Sequence, residues 1–213
     1  MPTFAIISEG ITDQIVLDAI VQGSCADKYS DDVSVNFLQP IRDATDTNTA
    51  AHGGWELVFE YCNLRMLDAV STNDYVIIHV DTDCGDHERF GLALTEGGAD
   101  RPTAELVEDA KTILRSKIDP AILAEHAHKL IFAIAVHSTE CWLLLLLFDV
   151  RRTKGCAERL NRELNRKSGF RLSKDARSYM KASRLLKKRR LSEDFGEAES
   201  LTIFLQDLKN VAA

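Results

Sequence analysis

The chain of 213 residues is 45% hydrophobic and 28% charged, which fits one soluble globular domain or one domain with a modest appendage. Its longest apolar run, "CWLLLLLF" at Cys141–Phe148, has eight residues where a bilayer-spanning helix needs about 20, which argues against a membrane span. The net charge of −7 hides a division: residues 1–150 hold 9 Lys/Arg against 25 Asp/Glu, residues 151–190 hold 16 against 3, and residues 191–213 hold 1 against 5.

In chain order, "TFAIIS" (Thr3–Ser8) predicts a short buried strand, followed by a turn at "EGIT". Apolar residues at Ile15, Val16, Ala19 and Ile20 then predict a helix with Thr12 as its N-cap. "VSVNFLQPI" (Val33–Ile41) alternates as a second strand, and "RDATDTNTAAHGG" (Arg42–Gly54) reads as a polar loop. Trp55–Val70 has helical spacing, and "YVIIHV" (Tyr75–Val80) is a third strand, apolar enough to be covered on both faces. A polar, Gly-containing segment at Cys84–Pro102 precedes an amphipathic helix at Thr103–Ile118. Lys129–Ser138 is the fourth strand, and "TECWLLLLLFD" a short buried helix with Thr139 as N-cap. Beyond Arg151 three stretches look helical and none reads as a strand.

This alternation predicts an α/β fold, a mostly parallel sheet with helices on both faces. The boundary falls near Val150: a catalytic domain at 1–150, and a basic helical extension at 151–213 packed on it. The N-terminus lacks the basic region and cleavage site of a signal peptide, so the cytoplasm is the expected location. Five scattered cysteines without CxxC or CxxH spacing are expected to be thiols in a reducing compartment. Of these, only Cys84 lies beside the acids, and a filler role is expected for it.

Ligands of open α/β sheets bind beyond the carboxyl ends of the strands. Here the first strand ends in Glu9, the third in Asp81 and Asp83, and the fourth leads to Glu140. Asp13 opens the first helix four residues after Glu9. In an extended segment, the two-residue spacing of Asp81 and Asp83 would point both side chains the same way. Convergent carboxylates without a His/Cys set suit one or two hard cations, Mg²⁺ or Mn²⁺, rather than zinc. The plain reading of each acid alone is a helix cap or a solvated loop; three acidic strand ends together favour a metal.

"IISEGITD" (Ile6–Asp13) followed by "VIIHVDTDCGD" (Val76–Asp86) resembles the TOPRIM domain, whose first strand is followed by a Glu and whose third by a DxD. About twenty residues carry the likeness, which spans roughly 1–150. Within that family the chain is most similar to OLD-type nucleases and small stand-alone TOPRIM proteins, many encoded beside ABC-type ATPases in phage defence. Asp13 and the segment "STECWLLLL" carry this closer likeness. The resemblance implies a Rossmann-like TOPRIM fold and a nuclease that hydrolyses phosphodiester bonds of DNA or RNA. It implies that Glu9, Asp81 and Asp83 bind metal, with Asp13 and Glu140 completing a two-metal site. It also implies a lysine in the helical C-terminal part that supports the scissile phosphate: Lys174 in "RLSKDARSYM" first, Lys181 second. Nucleic acid would be tracked by 151–190. No GxxxxGKS/T occurs, so ATPase activity would belong to a separate ABC-type protein. The oligomeric state, a homo-oligomer included, is left open.

Asp86 and Glu88 are expected to be loop acids facing water, and no topoisomerase tyrosine stands out among Tyr29, Tyr61, Tyr75 and Tyr179. His79 reads as a packed core histidine, His87 as a loop histidine, and His137 as a strand-end histidine for which a place at the site is the lesser reading. A DxD also marks nucleotide-sugar glycosyltransferases and haloacid-dehalogenase phosphatases, but here it follows the third strand and a preceding "SEG" turn, which disfavours both. The remaining alternative is a non-catalytic TOPRIM-fold module that binds nucleic acid or a partner.

Overall fold

Tyr75–Asp81 runs "YVIIHVD", rich in β-branched residues and free of Gly and Pro, and it forms a central strand with five consecutive buried positions. The computed structural model describes residues 1–29, 33–41, 53–196 and 199–212. In chain order the elements are β1 (Thr3–Ile7), α1 (Ile11–Tyr29), β2 (Ser34–Gln39), α2 (Trp55–Leu64), α3 (Met66–Thr72) and β3 (Tyr75–Asp81). Then come β4 (Thr95–Glu96), β5 (Ala99–Asp100), α4 (Thr103–Ser116), α5 (Pro120–His126) and β6 (Leu130–Ala135). The chain finishes with α6 (Thr139–Phe148), α7 (Cys156–Ser168), α8 (Ala176–Ser183), α9 (Lys188–Leu191) and α10 (Ser200–Ala212).

The main sheet has the order β2-β1-β3-β6, with every neighbouring pair parallel. Parallel neighbours need long crossovers, and the helices between the strands supply them. Alternation along each strand splits the core in two. Phe4, Ile6, Ile77, Ile131, Ala133 and Ala135 face α1, α6 and the C-terminal helices. Ala5, Ile7, Val76, Ile78, Val80, Phe132 and Ile134 face α2, α3 and α4. Both faces of the sheet are therefore covered over β1, β3 and β6, which is why those strands are mostly apolar.

The helices beyond Val150 add to the first of these cores: Leu160 and Leu164 of α7, Tyr179 and Ala182 of α8, and Phe204 of α10 pack with α1 and α6. Trp142 of α6 stacks on Phe204, with centroids 5.4 Å apart, and its Nε1–H donates to Ser200 Oγ at 2.8 Å. Lys111 of α4 bonds Asp207 of α10 at 3.0 Å.

Several local expectations are corrected. α1 begins at Ile11, so Thr12 lies in the first turn and does not cap it. Trp55–Val70 is two helices, broken at Arg65, whose φ/ψ of −132°/7° leaves the helical region. The polar segment 84–102 contains an antiparallel hairpin, β4–β5, turned by Gly97 and Gly98, both at positive φ. Ser138, with extended dihedrals, is the N-cap of α6, which puts Thr139 inside the helix. Cys141 and Cys156 are joined by a disulfide, so the expectation of five thiols fails. Their side chains meet because α6 and α7 pack with their N-termini together, a juxtaposition that sequence spacing does not reveal. Of the loop expected at Arg42–Gly54, only Gly53 and Gly54 lie within the described residues.

Candidate metal centre

The sheet changes direction of winding between β1 and β3, with β2 on one side of β1 and β3 on the other. At such a switch point the crossovers diverge and leave a crevice beyond the strand ends. Glu9 and Asp81 both sit there. The Asp81 backbone N–H donates to Glu9 Oε1 at 2.8 Å, tying the acid after β1 to the last residue of β3. Glu9 is itself held by its own carbonyl, which accepts from the Gly54 N–H at 2.9 Å.

On β3 the residues Ile77, His79 and Asp81 share one face by alternation, the face turned to α1 and α6. Their cross-strand partners on β6 include Ala133 beside His79 and Ala135 beside Asp81, small residues that leave room above the sheet. Into that space come Asp13 from the first turn of α1 and Thr139 from the first turn of α6. Thr139 Oγ1 lies 2.9 Å from Asp13 Oδ1, 3.0 Å from Asp81 Oδ1 and 3.2 Å from His79 Nε2. Its backbone N–H, one of the unpaired donors of the helix start, reaches Asp81 Oδ1 at 3.1 Å. His79 Nε2 is 3.3 Å from Asp81 Oδ1. One ligating atom each from Asp13, His79 and Asp81 lies within 4.8 Å of the other two.

The electrostatics follow from this crowding. Burial, and then the charge of Asp81, push the Glu9 carboxyl up to about 8. Burial pushes Asp81 up to about 7 despite its hydrogen bond with His79, and Asp13 is raised by burial as well. For His79 burial alone would lower the pKa; the hydrogen bond to Asp81 and the charges of Asp13, Asp81 and Glu9 outweigh it and raise it to about 9. Carboxylates held this way retain protons unless a cation compensates them. The donor set that could hold a metal ion is Asp13, His79 and Asp81; Glu9 is tied to it through the Asp81 N–H.

The other expected site residues are placed differently. Glu140 follows Thr139 on α6, accepts a hydrogen bond from the Tyr179 hydroxyl of α8, and adds its charge to those acting on Asp13 and Asp81. Asp83 does not continue the strand: Thr82 is a buried bend, and Asp83 lies exposed in the turn after it. The rule that residues two apart point alike therefore does not reach Asp83. Its N–H donates to the His137 carbonyl at 3.1 Å, and it lines an open pocket of about 510 Å³ with Asp86, His137, Ser138 and Lys154. Asp86 accepts from the Leu94 N–H at 2.9 Å, a loop-shaping role. Lys174 is exposed before α8, while Lys181 lies 4.1 Å from the centroid of the Phe170 ring. His87 packs against Trp55; Cys84 is exposed, which corrects the filler role expected for it, and partial desolvation with the nearby Asp83 pushes its thiol up to about 11, away from thiolate chemistry.

Two participants escaped sequence reasoning. His79 read as core because it occupies a strand interior; the available signal was that alternation puts it on the same face as Asp81. Thr139 read as a helix cap, and its contacts to three separate elements exist only in three dimensions. Searches with this chain found no matching protein-family model, no matching curated protein and no matching solved structure.

Proposed function

We propose that this chain is a TOPRIM-like, Mg²⁺- or Mn²⁺-dependent nuclease that hydrolyses phosphodiester bonds of DNA or RNA. The observation that carries the reading is the Glu9–Asp81 link at the β1/β3 switch point, with Asp13 and Thr139 closing on the same spot. A bound divalent ion would supply a water of lowered pKa and neutralise charge on the phosphate. Asp13 and Asp81, with Glu9 bonded to the Asp81 N–H, would hold that ion, and Glu140, which accepts from the Tyr179 hydroxyl, would assist them. Thr139 fixes the spacing of Asp13 and Asp81 so that the carboxylates are in place before substrate arrives.

The basic segment 151–190 is the surface for the phosphate backbone, and the arginines there are not equivalent. Arg159 and Arg166 are engaged by Glu163, and Arg190 by Asp149. Arg162 and Arg171 line an open groove of about 400 Å³ with Asn161, Asn165 and one acid, Glu158. Lys174 has no carboxylate or ring partner among the described residues, so of the two lysines it is the better placed to meet a phosphate. A role in phage defence would require a separate ABC-type ATPase chain.

The test incubates the pure protein with plasmid DNA and with structured RNA in Mn²⁺ or Mg²⁺, beside Glu9→Gln and Asp81→Asn. Cleavage by the unmodified chain and its loss in both variants is the expected result. Cleavage undiminished in both removes the proposed site. No cleavage of any substrate favours the non-catalytic binding module.

A further inference from the structure

We infer that His79 Nε2 is itself a ligand of this ion, and that it turns the site from Mg²⁺ toward Mn²⁺; the inference rests on the metal-dependent reading above. His79 is fully buried on β3, flanked in sequence by the buried Ile78 and Val80. Its Nδ1 has no hydrogen-bond partner among the described residues, so every polar contact of the ring is made at the other nitrogen. The contacts of the ring's polar atoms are instead those of Nε2, with Asp81 and Thr139 of the centre. The Trp142 indole stands nearly perpendicular to the imidazole, with centroids 6.1 Å apart, and limits the ring's orientation. Nε2 lies 3.3 Å from Asp81 Oδ1, a separation open to two ligands of one ion, and one ligating atom each of Asp13, His79 and Asp81 lies within 4.8 Å of the other two.

The ligand type then decides the ion. Mg²⁺ is hard and takes oxygen, whereas an imidazole nitrogen suits first-row transition ions, of which Mn²⁺ also accepts carboxylates. Exchanging one oxygen ligand for His79 nitrogen weakens Mg²⁺ more than Mn²⁺.

The probe is Mn²⁺ alone, added to the full-length chain and followed by electron spin-echo spectroscopy, which reads nitrogen bound to manganese. The expected result is a ¹⁴N coupling that changes to the ¹⁵N pattern on labelling histidine. In His79→Gln the coupling disappears while Mn²⁺ still binds, and the preference for Mn²⁺ over Mg²⁺ falls about tenfold. Should that variant not fold, a chain keeping His79 alone of its six histidines must retain the coupling. Bound Mn²⁺ without nitrogen coupling, a coupling that survives His79→Gln, or its loss in the His79-only chain would overturn the inference and leave the metal-dependent reading standing. Failure to bind Mn²⁺ at all would overturn both.

Discussion

The hydroxyl of Thr139 has one proton, and two carboxylate oxygens lie within 3.0 Å of it while the His79 nitrogen lies at 3.2 Å. Serving only one acid as donor at a time, it still holds both at a fixed separation. Thr139→Val keeps the shape and removes that donor, leaving buried acids short of a partner. Such a change is expected to destabilise the chain by about 1–3 kcal/mol, read as a lower urea midpoint, whereas Thr139→Ser is expected to stay close to the original. An unchanged midpoint in Thr139→Val would show that the hydroxyl is dispensable. The protons of the same cluster set a pH dependence. Glu9 rises from 4.5 to about 8, Asp81 from 3.8 to about 7 and His79 from 6.5 to about 9. Each binds its proton more tightly folded than unfolded, so its contribution to stability is complete below the unfolded value and is lost as pH climbs through the folded one. The thermal midpoint of the metal-free protein should therefore fall between about pH 5 and pH 9, and Mn²⁺ should flatten that fall. A midpoint that rises across the window contradicts the assignment.

At the scale of elements, the site depends on how closely α2 approaches the end of β1. A Cβ on Gly53 would lie 2.2 Å from the Glu9 carbonyl oxygen, so only glycine lets the chain pass there. Gly53→Ala must push Glu9 or α2 aside, and a displacement of that order is expected to slow cleavage about 10- to 100-fold with the fold retained by circular dichroism. An unaltered rate would mean that Glu9 does not need its present position. Three of the four long strands could be read from the sequence as runs of β-branched and apolar residues and β2 from its alternation, and Glu9 and Asp81 followed from the strand ends. What lay beyond reach was governed by contacts between elements. Asp83 looked equivalent to Asp81 because spacing cannot announce that β3 stops and Thr82 bends. The Cys141–Cys156 bond needed the packing of α6 on α7. The β4–β5 hairpin does carry a turn signal in the sequence, Gly97-Gly98 between short polar arms.

Over the whole molecule, an acidic crevice sits on a chain whose 151–190 segment holds 16 Lys/Arg against 3 Asp/Glu. That division suits a polyanion guided by the basic surface toward a cation in the crevice, and binding should weaken steeply with salt. Replacing Arg162 and Arg171 with Gln should reduce the slope of log affinity against log salt by about 1 to 2, measured by fluorescence anisotropy; an unchanged slope would place the phosphate contacts elsewhere. The central claim, a metal centre on the β1/β3 edge that cleaves phosphodiester bonds, meets its most direct test in one titration. Initial cleavage rates are measured against Mn²⁺ concentration for the unmodified chain and for Asp81→Asn, with a chelator control. Expected is a rate that saturates with Mn²⁺, vanishes with the chelator and is lost in Asp81→Asn. Cleavage that persists in the chelator, or that proceeds undiminished in Asp81→Asn, would contradict it.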